Sequence, residues 1–133
     1  MKKRWVIAIV YLLLIHTLSS FSFGNSKVEF FYGFDKIIHF FEYFLLTFFL
    51  WQPINSFFNL TSINSISLGI FVFSALNGLL DEYHQEFVYG RASSYGDMLA
   101  DVIGSGCSII YLRFTHKNNS FSNTKFEENL ESN

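Results

Sequence analysis

Residues 81–104 read DEYHQEFVYGRASSYGDMLADVIG. This stretch carries five carboxylates, Asp81, Glu82, Glu86, Asp97 and Asp101, together with His84, Gln85 and Arg91, and a long apolar run lies on either side of it. Charge beside or inside a hydrocarbon phase is retained only where it is paired, watered or used. The stretch therefore reads as two membrane helices joined by a tight turn, with the polar chemistry of the chain gathered around that turn.

The rest of the composition agrees. Half of the 133 residues are apolar, 20% are aromatic with 18 phenylalanines, and 15% are charged, too little polar surface to cover a soluble domain of this length. No basic stripe with interleaved aromatics is present, which excludes nucleic acid as an expected partner. Cys107 is the single cysteine, so neither an intrachain disulfide nor a thiolate metal site can be built, and it reads as a small helix-packing residue.

Outward from the focus toward the C-terminus, Ser94-Tyr95-Gly96-Asp97 matches a capping box and starts a helix over 95–114. Asp97 thus has a structural explanation. Asp101 lies one turn deeper, above Gly104, Ser105 and Ser108, where a solvated charge would be costly. The polar stretch 115–133 reads as a disordered tail. Toward the N-terminus, a helix over 62–86 offers Gly69, Ser74, Ala75 and Gly78 for close helix approach. Asn77, Asp81 and Gln85 repeat every four residues on it, with Glu82 on the adjoining face.

Before that, 35–52 forms a helix that Asp35 or a neighbour can cap and that Pro53 ends, with an uncharged loop following to 61. Asp35, His39, Glu42 and Tyr43 share one of its faces, beside Lys36. By helix rise, His39 lies roughly 6 Å and Glu42 roughly 10 Å further in than Asp35, so Glu42 calls for a partner from another helix. Gly24, Asn25, Ser26 and Gly33 mark the loop that precedes this helix. The first segment, 5–23 after Lys2, Lys3 and Arg4, reads as a retained membrane helix. Its alternative, a cleaved signal peptide, finds only a poor cleavage site at Ser19-Ser20-Phe21-Ser22. His16, Thr17, Ser19 and Ser20 would face other helices or the interface.

The expected fold is an all-α, integral membrane, antiparallel four-helix bundle over residues 1–114. Lys2, Lys3, Arg4, Arg113, Lys117 and Lys125 fall on the terminal side, against Lys27, Lys36 and Arg91 on the other, which makes both termini and the tail cytoplasmic. The polar focus then faces outward, and His39 and Glu42 enter from the same side as Glu82, Asp97 and Asp101.

Taken together, Asp35-Lys36-x-x-His39 with Glu42-Tyr43, Asp81-Glu82-x-x-Gln85, Gly90-Arg91 and Ser94-x-x-Asp97-x-x-x-Asp101-x-x-Gly104 resemble the VanZ-like family of small bacterial membrane proteins. The resemblance covers about 5–112, with several separated motifs in order. Asp101 stands where the family usually has asparagine, and Tyr89 where a proline commonly precedes the Gly-Arg pair. The resemblance implies a multi-pass envelope protein of the plasma membrane whose namesake is associated with resistance to teicoplanin, a glycopeptide antibiotic.

The residues themselves admit several functions. One is a site on the extracytoplasmic side that binds or acts on a lipid head group, a lipid-linked wall precursor or a glycopeptide. There His39 would be the base and Glu42 or Asp101 the acid, with Glu82 a further catalytic candidate and Asp35, Lys36, Tyr43, Asp81, Gln85, Arg91 and Asp97 as ligand-binding residues. A second version places a divalent metal among His39, Glu42, Glu82 and Asp101. A different class makes the cluster purely structural, fixing helix packing through polar bonds and an Arg91–carboxylate pair. Against that stands the charge: five carboxylates and one arginine leave four negative charges unmatched between 81 and 101. Proton-coupled transport is a third class, for which four spans are few unless the chain forms a homo-oligomer.

Overall fold

The computed structural model describes residues 2–21, 33–58, 62–91 and 93–131, with side chains through Lys117. The loop expected around Gly24, Asn25 and Ser26 lies outside the described residues, as does Lys27. Four helices make up the structure: α1 (Lys2–Ser19), α2 (Phe34–Phe57), α3 (Ile63–Gln85) and α4 (Tyr95–Glu131). The protein is all-α. Three of the helices, Phe34–Phe57, Ile63–Gln85 and the Tyr95–Lys117 part of α4, are long and apolar enough to cross a membrane. The 18 residues of α1 begin with Lys2, Lys3 and Arg4, and α1 is not among the three.

Local chemistry explains the boundaries and corrects several of them. α2 is entered through Gly33 at φ 110°, with no side-chain cap, a backbone state that glycine adopts without steric cost. Asp35 is therefore not the cap. It occupies the first turn, where a carboxylate is favoured by the positive end of the helix. Ser62 does cap α3, accepting from the Asn64 N–H. Pro53 does not end α2, which continues to Phe57 with the proline wholly buried inside it. A proline lacks one N–H and crowds the carbonyl four residues back, which bends a helix but need not stop one that is packed on both sides of the lesion. α4 continues as helix to Glu131, past Phe114, where the apolar pattern stops.

The packing is centred on α2, which touches α1, α3 and α4, most extensively α4. Ala8 and Ile15 of α1, Leu46, Leu50 and Trp51 of α2, Ile66 and Ile70 of α3, and Ile109 and Leu112 of α4 form one apolar cluster. Tyr11 packs edge-on to Phe49 at 5.1 Å beside it. Ion-bearing side chains are inside as well: His39, Asp81, Glu82, Asp97 and Asp101 are all buried. Large apolar side chains such as Phe41, Leu68, Leu76, Leu99, Ile110 and Phe114 are outside. A chain that puts its hydrocarbon outward and its charges inward is built for a lipid solvent.

Two glycines set the spacing that brings the charged groups together. A Cβ on Gly104 of α4 would overlap the Phe40 carbonyl of α2, and one on Gly78 of α3 would lie 2.8 Å from the Asp101 Cβ of α4. Both helices flanking α4 thus approach it at distances only a missing side chain permits.

Candidate functional site

The first turns of α2, the last turns of α3 and the first turns of α4 meet at one end of the bundle. His39 stands at the junction. Its Nδ1 lies 3.0 Å from Asp101 Oδ1 of α4, in hydrogen-bond geometry, and its Nε2 lies 3.7 Å from Glu82 Oε1 of α3. With Asp101 ionised, the bond has His39 Nδ1–H as donor, because a carboxylate can only accept. Glu82 and Asp101 are both 0% exposed. His39, Glu82 and Asp101 each present one potential ligand atom, all within 4.8 Å of one another.

Glu82 also reaches the start of α4, its Oε2 accepting the Ser94 N–H at 2.8 Å. That bond displaces the expected capping box. Ser94 Oγ accepts from the Gly96 N–H at 3.2 Å, while the Asp97 carboxylate turns away to accept from Lys36 at 3.0 Å. The local pattern loses because a buried Glu82 oxygen has no water to turn to and a free helix-start N–H lies beside it.

A second row of polar groups runs from Asp81 to the rim. Gln85 donates to Asp81 Oδ2 at 3.0 Å and accepts from Arg91 at 3.3 Å, and Arg91 also donates to the Leu18 carbonyl of α1 at 3.3 Å. An Arg91–carboxylate pair, expected if the cluster were only a packing device, is not among the contacts of the described residues; both of these acceptors are neutral. His16 Nδ1 approaches Asp81 Oδ1 to 3.4 Å, and Ser20 Oγ and His84 Nε2 are 3.0 Å apart. α1 therefore closes the site. The sequence reading had His16 and Ser20 facing other helices or the interface but did not count them as site residues, and polar residues at the end of an apolar run were the available signal.

The remaining candidates fall around this centre. Lys36 bridges Asp35 at 3.1 Å and Asp97 at 3.0 Å on the rim. Glu42 is half-buried and has no hydrogen-bond partner among the described residues, although His39, Asp81, Asp101 and Arg91 act on it electrostatically. Tyr43 is fully buried, its hydroxyl makes no hydrogen bond, and it is coupled electrostatically to Asp81, Asp101, Glu42 and Glu82. Asn77 instead donates to the Phe73 carbonyl of its own helix. Asp81 Oδ1, Glu82 Oε1, Asp101 Oδ2, Ser105 Oγ and Ser108 Oγ are also buried without a hydrogen-bond partner. Such a concentration of unmet acceptors is costly in a protein interior unless something is bound or protonated there.

An all-helical chain with an apolar exterior, three membrane-length helices and buried ionisable groups is a membrane protein. It belongs to the VanZ/LLP1 family, whose model matches residues 2–116 and so spans every residue of the cluster. No curated protein and no solved structure matches the chain.

Proposed function

We propose that this VanZ/LLP1-family protein binds the phosphorylated head group of a lipid or lipid-linked wall precursor at the polar end of its bundle, on the extracytoplasmic side of the plasma membrane. The proposed arrangement is an antiparallel four-pass bundle with both termini cytoplasmic. Lys36 lies beside Asp97 at one end, while Arg4 approaches Ser56, and Arg113 bonds Asn64, elsewhere. Such pairs suit alternating helix directions. The orientation rests on the excess of Lys and Arg on the terminal side. The burial of Ala8 and Ile15 with the core of α2 supports α1 as a retained helix.

One observation carries the binding reading. Arg91 is half-buried at the mouth of the cluster, and its described hydrogen bonds go to the Gln85 amide and the Leu18 carbonyl. Among the described residues its positive charge therefore meets no carboxylate in direct contact, and a planar guanidinium is suited to a phosphate. Below it, His39 between Asp101 and Glu82 would serve acid–base chemistry on the bound group, if the protein turns it over. A part in teicoplanin susceptibility is the extended form of this reading.

The test is head-group binding by purified protein in nanodiscs, comparing wild type with Arg91→Ala. Loss of a charge-assisted contact of about 1.5–3 kcal/mol predicts affinity for a phosphorylated head group lower by roughly 10- to 150-fold. Helix content and unfolding should stay as in wild type. Equal affinity of the two proteins would refute the reading. A packing role is favoured by the His39–Asp101 bond between α2 and α4. It predicts instead that Arg91→Ala leaves affinity alone and lowers the amount of folded protein. Teicoplanin susceptibility of a sensitive host expressing either protein at equal membrane levels tests the extended form.

A further inference from the structure

We propose that His39, Glu82 and Asp101 bind a first-row divalent metal ion, Zn2+ or Mn2+, between α2, α3 and α4. Glu82 and Asp101 are wholly buried on two different helices, and the one cationic group within contact distance of both, among the described residues, is His39. The other cations face elsewhere: Lys36 is held by Asp35 and Asp97, Arg91 by Gln85 and Leu18, and His16 lies against Asp81. One imidazole cannot neutralise two buried carboxylates that both stay ionised. A doubly charged ion does, and it leaves the imidazole neutral, as a metal ligand must be.

Geometry points the same way. The His39 Nε2 to Glu82 Oε1 separation of 3.7 Å is too long for a hydrogen bond. It is close to the separation of two atoms that bind one ion at about 2.1 Å with an angle near ~120°. One ligand atom from each residue lies within 4.8 Å of the other two; because Nδ1 faces Asp101 and Nε2 faces Glu82, binding one ion requires the ring or a carboxylate to turn so that both carboxylates reach the same nitrogen's side. Gly78 lets Asp101 sit against α3, since a Cβ there would fall 2.8 Å from Asp101 Oδ2.

Tyr43 adds a buried polar group on the same helix as His39. It sits one turn along α2 from His39, is 0% exposed, and its hydroxyl has no hydrogen-bond partner. The charges of Asp81, Asp101, Glu42 and Glu82 all act on it. A phenol there can donate to a ligand carboxylate or to a metal-bound water. Glu82 Oε1 and Asp101 Oδ2 are likewise buried and unpartnered. Glu42, the fourth ligand in the sequence reading, is not in the group that the helices bring together.

A set of one nitrogen and two oxygens favours a first-row ion over Mg2+ or Ca2+, because imidazole suits the transition metals and zinc. Three protein ligands leave a coordination position open. The proposal does not depend on the head-group reading, since it concerns metal binding by the protein alone.

The experiment uses the full chain purified in detergent without an affinity tag, stripped with EDTA, reloaded with Zn2+ or Mn2+ and passed through gel filtration. Retained metal is then counted per chain. Wild type and the exposed-site control Glu86→Gln should keep one ion, and Glu82→Gln and Asp101→Asn should bind about 100-fold or more weakly. Because a variant could fail to fold, X-ray absorption on the zinc-loaded wild type supplies a second readout: one imidazole with otherwise oxygen neighbours. No metal retained by wild type would overturn the proposal. So would retention by folded Glu82→Gln and Asp101→Asn at the wild-type level, or a spectrum with sulfur or several imidazoles.

Discussion

Gly104→Ala should be among the most disruptive single-methyl changes in this protein. A Cβ at Gly104 would overlap the Phe40 carbonyl oxygen and lie 3.0 Å from the Phe40 carbonyl carbon and 3.1 Å from its Cα, where ordinary contact begins at 3.4 Å. All three atoms are backbone, so no rotamer change relieves the clash. α2 and α4 must separate by about 1 Å. His39 immediately precedes Phe40, and Asp101 lies one turn before Gly104. The 3.0 Å His39–Asp101 bond would therefore stretch to about 4 Å, beyond hydrogen-bonding reach. Overpacking costs about 1–3 kcal/mol, and loss of a buried hydrogen bond to a charged group costs about 1.5–3 kcal/mol. Less the about 1 kcal/mol of helix propensity that Gly→Ala gains, the expected destabilisation is about 1.5–5 kcal/mol. Reversible SDS unfolding in mixed micelles, followed by circular dichroism, measures it. Gly69→Ala is the matched control, because a Cβ there meets nothing within 4 Å and the swap gains about 1 kcal/mol of helix propensity. If Gly104→Ala unfolds within about 0.5 kcal/mol of wild type, the close α2–α4 approach does not set the geometry of the site.

Two further outcomes follow from contacts away from His39. The buried Thr47 hydroxyl donates to Ser74 Oγ at 3.0 Å between α2 and α3, so a Thr47→Val, Ser74→Ala double-mutant cycle should return a coupling of about 0.6 kcal/mol; a coupling of zero would mean the two hydroxyls do not act on each other. Lys36 is 40% exposed, so Lys36→Met should cost about 1 kcal/mol or less at low salt, and the difference from wild type should shrink as salt rises. An effect that ignores salt would point to lost packing of the lysine stem instead.

The helices were readable because their signal is local: apolar runs of membrane length, glycine and serine at the breaks, and ionisable residues at helical spacing. The same spacing put His39, Glu82 and Asp101 within reach of one another, since polar side chains on three membrane helices can only turn inward. What resisted reading was decided by competition between elements. Ser94 and Asp97 satisfy a capping-box pattern, yet Glu82 from α3 takes the Ser94 N–H and Lys36 from α2 takes Asp97. Pro53 looks like a stop, yet α2 continues through it while buried against its neighbours. Arg91 looks like the counter-ion of a carboxylate, yet the nearest acceptors are an amide and a backbone carbonyl. In each case the residue type was informative and the partner was not, because partner choice depends on which helix ends up adjacent.

Much of what fixes the bundle lies outside its polar site. Close approach of α4 to α2 at Gly104, the Thr47–Ser74 bond and the apolar cluster from Ala8 to Leu112 fix the helices without any of the buried carboxylates. The carboxylates themselves are poorly served: Asp81 Oδ1, Glu82 Oε1 and Asp101 Oδ2 have no hydrogen-bond partner among the described residues, although His16 lies 3.4 Å from Asp81 Oδ1 and His39 3.7 Å from Glu82 Oε1. Groups kept for packing would be expected to end with their acceptors met, since an unmet buried acceptor costs about 1–3 kcal/mol. Sites that break such rules are where function is usually found. The consequence is a sign: in metal-free protein, Glu82→Gln removes a buried charge and keeps an oxygen for the Ser94 N–H, so it should leave stability unchanged or raise it. A packing role requires the opposite sign, which makes this single comparison the sharpest division between a protein that uses its buried charges and one that is merely stapled by them.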